Sequence, residues 1–161
     1  MMTNSHSQSS PDERLDEANK RLEAGNYREA ADLAKTLLNP TVKMTEGTRA
    51  AALSYCIQGL RSVSEFDEAE EVVEKAVTDF GDSWVMLTRA ASLMHDLPHY
   101  GSVVEGKFQR GEARNRGERK ETQLRDRVRI LQILNQAWTA VNERNSTPND
   151  KAQVIDWLIL A

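Results

Sequence analysis

The stretch AGNYREAADLAKTLL, starting at Ala24, returns 39 residues later as VSEFDEAEEVVEKAV, starting at Val63. Both copies run through a small or polar start, an aromatic, a charged residue and Glu-Ala, then apolar positions at helical spacing. Such a repeat limits the fold more than any single motif. Each copy opens a helix whose apolar side needs a neighbour, and tandem copies bury that side by stacking.

The segments between these copies complete a run of helices. Ser10-Pro11-Asp12-Glu13 combines an N-cap serine, proline at the first helical position and a glutamate placed to close a capping box. Leu15, Ala18 and Leu22 follow at helical spacing, and Ala24-Gly25-Asn26 is a stop signal. A helix over about 27–38 buries Ala30, Leu33, Ala34 and Leu37, one over 45–63 presents Ala50, Leu53, Ile57 and Leu60, and one over 66–79 presents Ala69, Val72, Val73 and Ala76. A fifth helix, over 83–97, carries Trp84, Leu87, Ala91 and Met94 and ends at Pro98. Further on, a helix beginning near Glu121 shows the strongest periodicity, with Leu124, Val128, Leu131, Leu134, Trp138 and Val141 as its expected core stripe. Thr147-Pro148-Asn149-Asp150 repeats the capping logic of Ser10 and opens a last helix through Val154, Ile155 and Leu158.

The two copies resemble the tetratricopeptide repeat through Gly25, Asn26, Tyr27, Glu29 and Ala30 in the first and Phe66, Glu68, Ala69 and Ala76 in the second. They depart from it in their 39-residue spacing, in Ser64 where the turn glycine belongs, and in Ile57 where a small residue is usual. The resemblance covers about residues 14–97. It implies antiparallel helical hairpins, and together with the other helices and the glycine-rich stretch it gives an expected all-α, tetratricopeptide-like fold of about seven helices, with a glycine-rich loop or small β-hairpin inserted at 98–120. It also implies a non-catalytic interaction or scaffolding role, with a protein or peptide lying along the first helix of each hairpin. The exposed candidates there are Asn19, Arg21, Tyr55, Gln58, Arg61, Arg89 and Ser92.

A second resemblance spans LPHYGSVVEGKFQRG and RDRVRILQIL. It is similar to a segment in the amino-terminal helical region of bacterial alpha-2-macroglobulin-like proteins, through Tyr100, Gly101, Gly106, Phe108, Arg110, Gly111 and the run Arg125 to Arg129. It implies an accessory module of a protease trap, with Tyr100, Phe108 and Arg110 as its loop residues. Cys56 stands in YCIQG, away from any thioester motif of that family.

Charge is unevenly distributed. Residues 1–98 hold 10 basic and 17 acidic side chains, whereas 99–161 hold 11 and 8. The net charge of -4 argues against a dedicated nucleic-acid binder, whose domain is strongly basic. The segment 105–129 carries 9 basic and 5 acidic residues, but Phe108 is its only aromatic. A nucleic-acid adaptor acting through 107–129 is therefore a weaker alternative, since single-strand binding needs several stacking rings.

Val103-Val104 and Lys107-Phe108 flank Glu105-Gly106 and predict a small hairpin that must pack on a helix to persist. A charged, mobile leader is expected after Gly111. His95 and His99 stand at i and i+4, but Pro98 between them breaks the helix that a chelating pair would require. Cys56 is the sole cysteine, which excludes an intrachain disulfide, and its place beside a core stripe predicts a buried apolar role. No phosphate loop or catalytic carboxylate pair is seen, so neither an enzyme nor a cofactor is expected. Residues 1–9 are expected to form a disordered tail and 10–161 a single domain. The polar start, without a secretion signal or membrane span, predicts a soluble cytoplasmic chain, or a periplasmic or cell-surface one if it is part of a macroglobulin-like parent.

Overall fold

The computed structural model describes residues 9–112, 118–144 and 146–161. Apart from Ser9, the expected tail lies outside the described residues, as does most of the expected mobile leader.

Local signals set the first helices. Helix α1 (Pro11–Glu23) opens on a closed capping box: the Glu13 amide donates to the Ser10 hydroxyl at 3.2 Å and the Ser10 amide to the Glu13 carboxylate at 2.8 Å. It ends where Gly25, at φ +80°, lets the Asn26 amide reach Arg21 O at 2.8 Å and the Gly25 amide reach Leu22 O at 3.1 Å. These paired bonds are a Schellman closure. After α2 (Tyr27–Leu37) and α3 (Glu46–Ser62), the same closure recurs. The Glu65 amide donates to Leu60 O at 2.9 Å and the Ser64 amide to Arg61 O at 3.0 Å, with Ser64 at φ +62°. Helices α4 (Phe66–Asp79) and α5 (Trp84–His95) follow. The serine in place of the turn glycine therefore changes the residue and leaves the backbone path unchanged.

Small residues bring these helices close together. Ala30, Ala34 and Ala69 are wholly buried. A methyl group on Gly59 would come within 2.5 Å of Tyr27 O and 2.9 Å of the Ala31 Cβ, so α3 lies directly against α2. The first helices of the hairpins also touch one another, α1 against α3 and α3 against α5. The second helices are held differently, by long charged side chains: Arg28 and Lys35 of α2 reach Glu68 of α4 at 2.6 and 2.8 Å. A cavity of about 450 Å³ opens between α2 and α4, lined by Lys35, Leu38, Val72, Lys75 and Ala76 among others. The first helices α1, α3 and α5 thus touch directly, while α2 and α4 are bridged by ion pairs.

The insertion is larger than the sequence suggests. Strands β1 (Tyr100–Val104) and β2 (Lys107–Arg110) form the expected hairpin, with Glu105 at φ +50° and Gly106 at φ +79° in its turn. A third strand, β3 (Glu118–Glu121), pairs with the other edge of β1 in the order β2-β1-β3. All its side chains are exposed and charged, so it carries no alternating apolar signal. Backbone pairing alone places it, Gly101 opposite Lys120 and Val103 opposite Glu118. Part of the leader expected to be mobile is thus an edge strand. A third strand also relieves the marginal stability of a lone hairpin.

Helix α6 (Gln123–Glu143) forms as expected but is rotated from the expected orientation. Its buried set is Asp126, Ile130, Ile133, Leu134, Ala137, Ala140 and Val141. Of the predicted stripe, Leu134 and Val141 are buried and Trp138 packs partly against the core, whereas Leu124, Val128 and Leu131 are exposed. Helix α7 (Pro148–Leu160) begins at a capping box of Thr147 and Asp150. It seats Val154, Trp157, Leu158 and Ala161 on the core and leaves Ile159 and Leu160 outside.

Candidate functional site

The residues expected to meet a partner divide into groups. On α3, Gln58 and Arg61 face solvent, and Tyr55 lies partly buried against the core. Gln58 and Arg61 line a cleft of about 460 Å³ together with Ser62, Phe66, Asp96 and Pro98, and Arg61 stands 3.8 Å from Asp96. Arg89 is exposed and Ser92 half-buried on α5. On α1, Arg21 is tied to Glu17 at 3.0 Å and Glu29 at 3.4 Å, and the Asn19 amide donates to Glu23 at 2.9 Å. The cleft contains Gln58 and Arg61; the other five candidates lie outside it. Beyond α3 its lining, Phe66, Asp96 and Pro98, comes from a helix start and a helix end that sequence spacing could not bring together.

The loop candidates separate across the sheet. Tyr100 lies on the face away from Arg110 and stacks under Arg119, whose guanidinium carbon is 4.8 Å from the ring centroid. Phe108, on the opposite face, covers Gly101 so closely that an added methyl there would meet the ring at 2.4 Å. Arg125 stands 5.4 Å over the Phe108 ring.

Arg110, expected in the loop, is a buried structural residue. Its guanidinium donates to Asp126 at 2.7 and 3.1 Å, to Glu70 at 2.8 Å and to Pro98 O at 2.6 Å, and its amide donates to Asp67 at 2.8 Å. Asp126 also accepts from Thr122 at 2.7 Å and from Arg125 at 2.9 and 3.0 Å, and lies 3.0 Å from His99 Nδ1. Burial alone pushes the Asp126 carboxyl up. The hydrogen bonds from Arg110, His99, Thr122 and Arg125 outweigh that and hold it well below the usual carboxylate range.

No family model, curated protein or solved structure matches the chain. Among the described residues, no three His, Cys, Asp or Glu side chains are grouped as metal ligands. His99 is held instead between Asp126 and the His95 carbonyl, its Nε2 3.0 Å from that oxygen. No described helix is long and apolar enough to cross a membrane. Burial pushes the Cys56 thiol up to about 12, as expected of a core residue.

Several cations of the 105–129 segment are engaged internally. Arg110 and Arg125 pair with Glu70, Arg129 with Glu74, Arg119 with Glu121 and Lys120 with Glu118. The glycines there have local duties too. Gly111, at φ +83°, lies against the Phe66 ring, so the sheet is seated on the aromatic that opens α4.

Proposed function

We propose that this chain is a non-catalytic protein-protein interaction module of tetratricopeptide type, receiving a peptide or partner helix along the face formed by α1, α3 and α5. The observation that carries the reading is the asymmetry of the stack. First helices pack against one another, while second helices are spaced by the Arg28–Glu68, Lys35–Glu68, Arg125–Glu70 and Arg129–Glu74 pairs. A layer closed on one side and open on the other is concave towards its first helices, as repeat proteins present their ligand surfaces. The cleft at Gln58, Arg61 and Asp96 gives that face a polar recess with Phe66 and Pro98 in its lining.

The macroglobulin-like alternative rests on residues that here turn, cover and seat the sheet, and it draws no separate support from them. For the nucleic-acid alternative, Arg110, Arg119, Lys120, Arg125 and Arg129, five of the seven cations among the described residues of 107–129, already face internal carboxylates.

Affinity capture with the wild-type chain and with an Arg61→Glu/Arg89→Glu variant tests the proposal. A partner seated along α1, α3 and α5 should be retained by the wild type and lost from the variant. Retention of every partner by the variant would remove this face from consideration.

A further inference from the structure

The rotation of α6 creates a surface that the hairpin stack does not use. Leu124, Val128 and Leu131 are 81%, 56% and 38% exposed and recur at i, i+4 and i+7, on the side opposite Ile130, Ile133 and Ala137. Three large apolar side chains in line along a helix are an unusual investment for a solvated face. On α6 itself the flanking charges are of one sign, while Glu70 and Glu74 of α4 stand beside Arg125 and Arg129. Between Gln123 and Asn142 the sole acid is Asp126, which is buried, whereas Arg125, Arg127 and Arg129 project from the same half of the helix. Arg127 makes no ion pair among the described residues, and the Arg125 side chain keeps 53% exposure despite its bonds to Glu70 and Asp126.

We infer that this stripe docks an amphipathic helix of a partner protein, one that carries acidic residues beside its apolar seam. The i, i+4, i+7 ridge fits the groove of another helix, and a helix surface offers no backbone edge to an extended strand. Arg127, and Arg125 over its exposed part, then meet carboxylates on the incoming helix, while Arg129 stays with Glu74. A second copy of this chain is a poorer occupant, because two α6 helices face to face would set arginine against arginine. An anionic bilayer is disfavoured as well: Glu70 and Glu74 stand at the rim, beside Arg125 and Arg129, and a broad negative plane would meet them. A narrow helix resting on the ridge avoids both. This surface lies apart from the face of α1, α3 and α5, so each stands or falls alone.

Fluorescence anisotropy tests the inference with a labelled synthetic helix bearing leucines at i, i+4 and i+7 and glutamates on both flanks. The expected result is saturable binding that weakens with salt, falls about tenfold or more in Leu124→Glu/Val128→Glu and in Arg127→Glu, and persists in Arg61→Glu/Arg89→Glu. A Leu124→Ala/Val128→Ala variant, checked by circular dichroism, gives the same comparison should the glutamates disturb folding. The inference is overturned by absent binding, by equal binding of the variants, or by equal binding of a peptide with lysine flanks. A dimer in sedimentation that Val128→Glu dissolves, without peptide binding, would assign the stripe to a second copy. Anionic vesicles bound without peptide binding would assign it to a membrane.

Discussion

Arg110 of β2 and Asp126 of α6 meet in a two-point ion pair, at 2.7 and 3.1 Å, with their side chains 0% and 2% exposed. The pair joins the inserted sheet to the last long helix, and Glu70 of α4 binds one arginine from each, Arg110 and Arg125. Removing one member leaves a charge buried without its main partner, which costs about 3–5 kcal/mol. Arg110→Ala and Asp126→Ala are each expected to lower the urea midpoint by a corresponding amount. In a double-mutant cycle the two losses should be strongly non-additive, and simple additivity would show that the pair does not act as a unit.

Acid sensitivity follows from the same carboxylate. The Asp126 pKa is depressed in the folded chain, so below the ordinary aspartate value of about 4 the unfolded chain takes up a proton that the folded one resists. The stability it contributes is complete above about pH 4 and drains away as pH falls further. Stability measured from about pH 6 to about pH 2 should decline steeply in the wild type. Asp126→Asn should start lower and decline less; parallel curves would mean that other carboxylates dominate.

Ser64 occupies a left-handed position, φ +62°, that its counterpart Gly25 fills at φ +80°. A side chain there costs about 1–2 kcal/mol relative to glycine, part of which glycine gives back through its freer unfolded chain. Ser64→Gly should therefore raise stability by roughly 1 kcal/mol and Gly25→Ala should lower it by a similar amount. Thermal or urea unfolding measures both, and a destabilised Ser64→Gly would contradict the assignment.

Gly111 has both constraints at once, φ +83° and a Phe66 ring atom 2.6 Å from where a methyl group would sit. Gly111→Ala is expected to loosen the sheet from α4 at a cost of about 1–3 kcal/mol. Hydrogen exchange should quicken at the amides of β1 and β2 while those of α1 to α3 stay protected. Uniform quickening would mean that the sheet and the helices unfold as one.

Cys56 is wholly buried, and its thiol is pushed up to about 12. A thiol-specific reagent should label it only under conditions that unfold the chain. Labelling in native buffer at the rate of a free thiol would show that α3 opens locally.

Helix count and position were legible because their causes are local. Capping boxes at Ser10 and Thr147 and the apolar spacing of α4 act within a few residues, and Phe66–Asp79 forms over the range expected. Arg110 was legible only as a cation in a loop, since nothing nearby in sequence announces a carboxylate sixteen positions on. Strand β3 was hidden for a related reason: its charged side chains say solvent, while its backbone says sheet.

Helix α6 marks the division between the two levels. Its sequence requires a helix and offers two apolar stripes, one through Leu124, Val128 and Leu131 and one through Ile130, Ile133 and Ala137. By periodicity the first is the expected core stripe, and the fold buries the second instead. The choice was made by Arg110, which arrives from β2 and draws Asp126 inward, because a buried guanidinium needs a carboxylate more than the core needs one further leucine. The sequence by itself determined seven helices and two matched turns; tertiary structure alone decided which side of α6 faces water, because that depends on a charge brought in from another part of the chain.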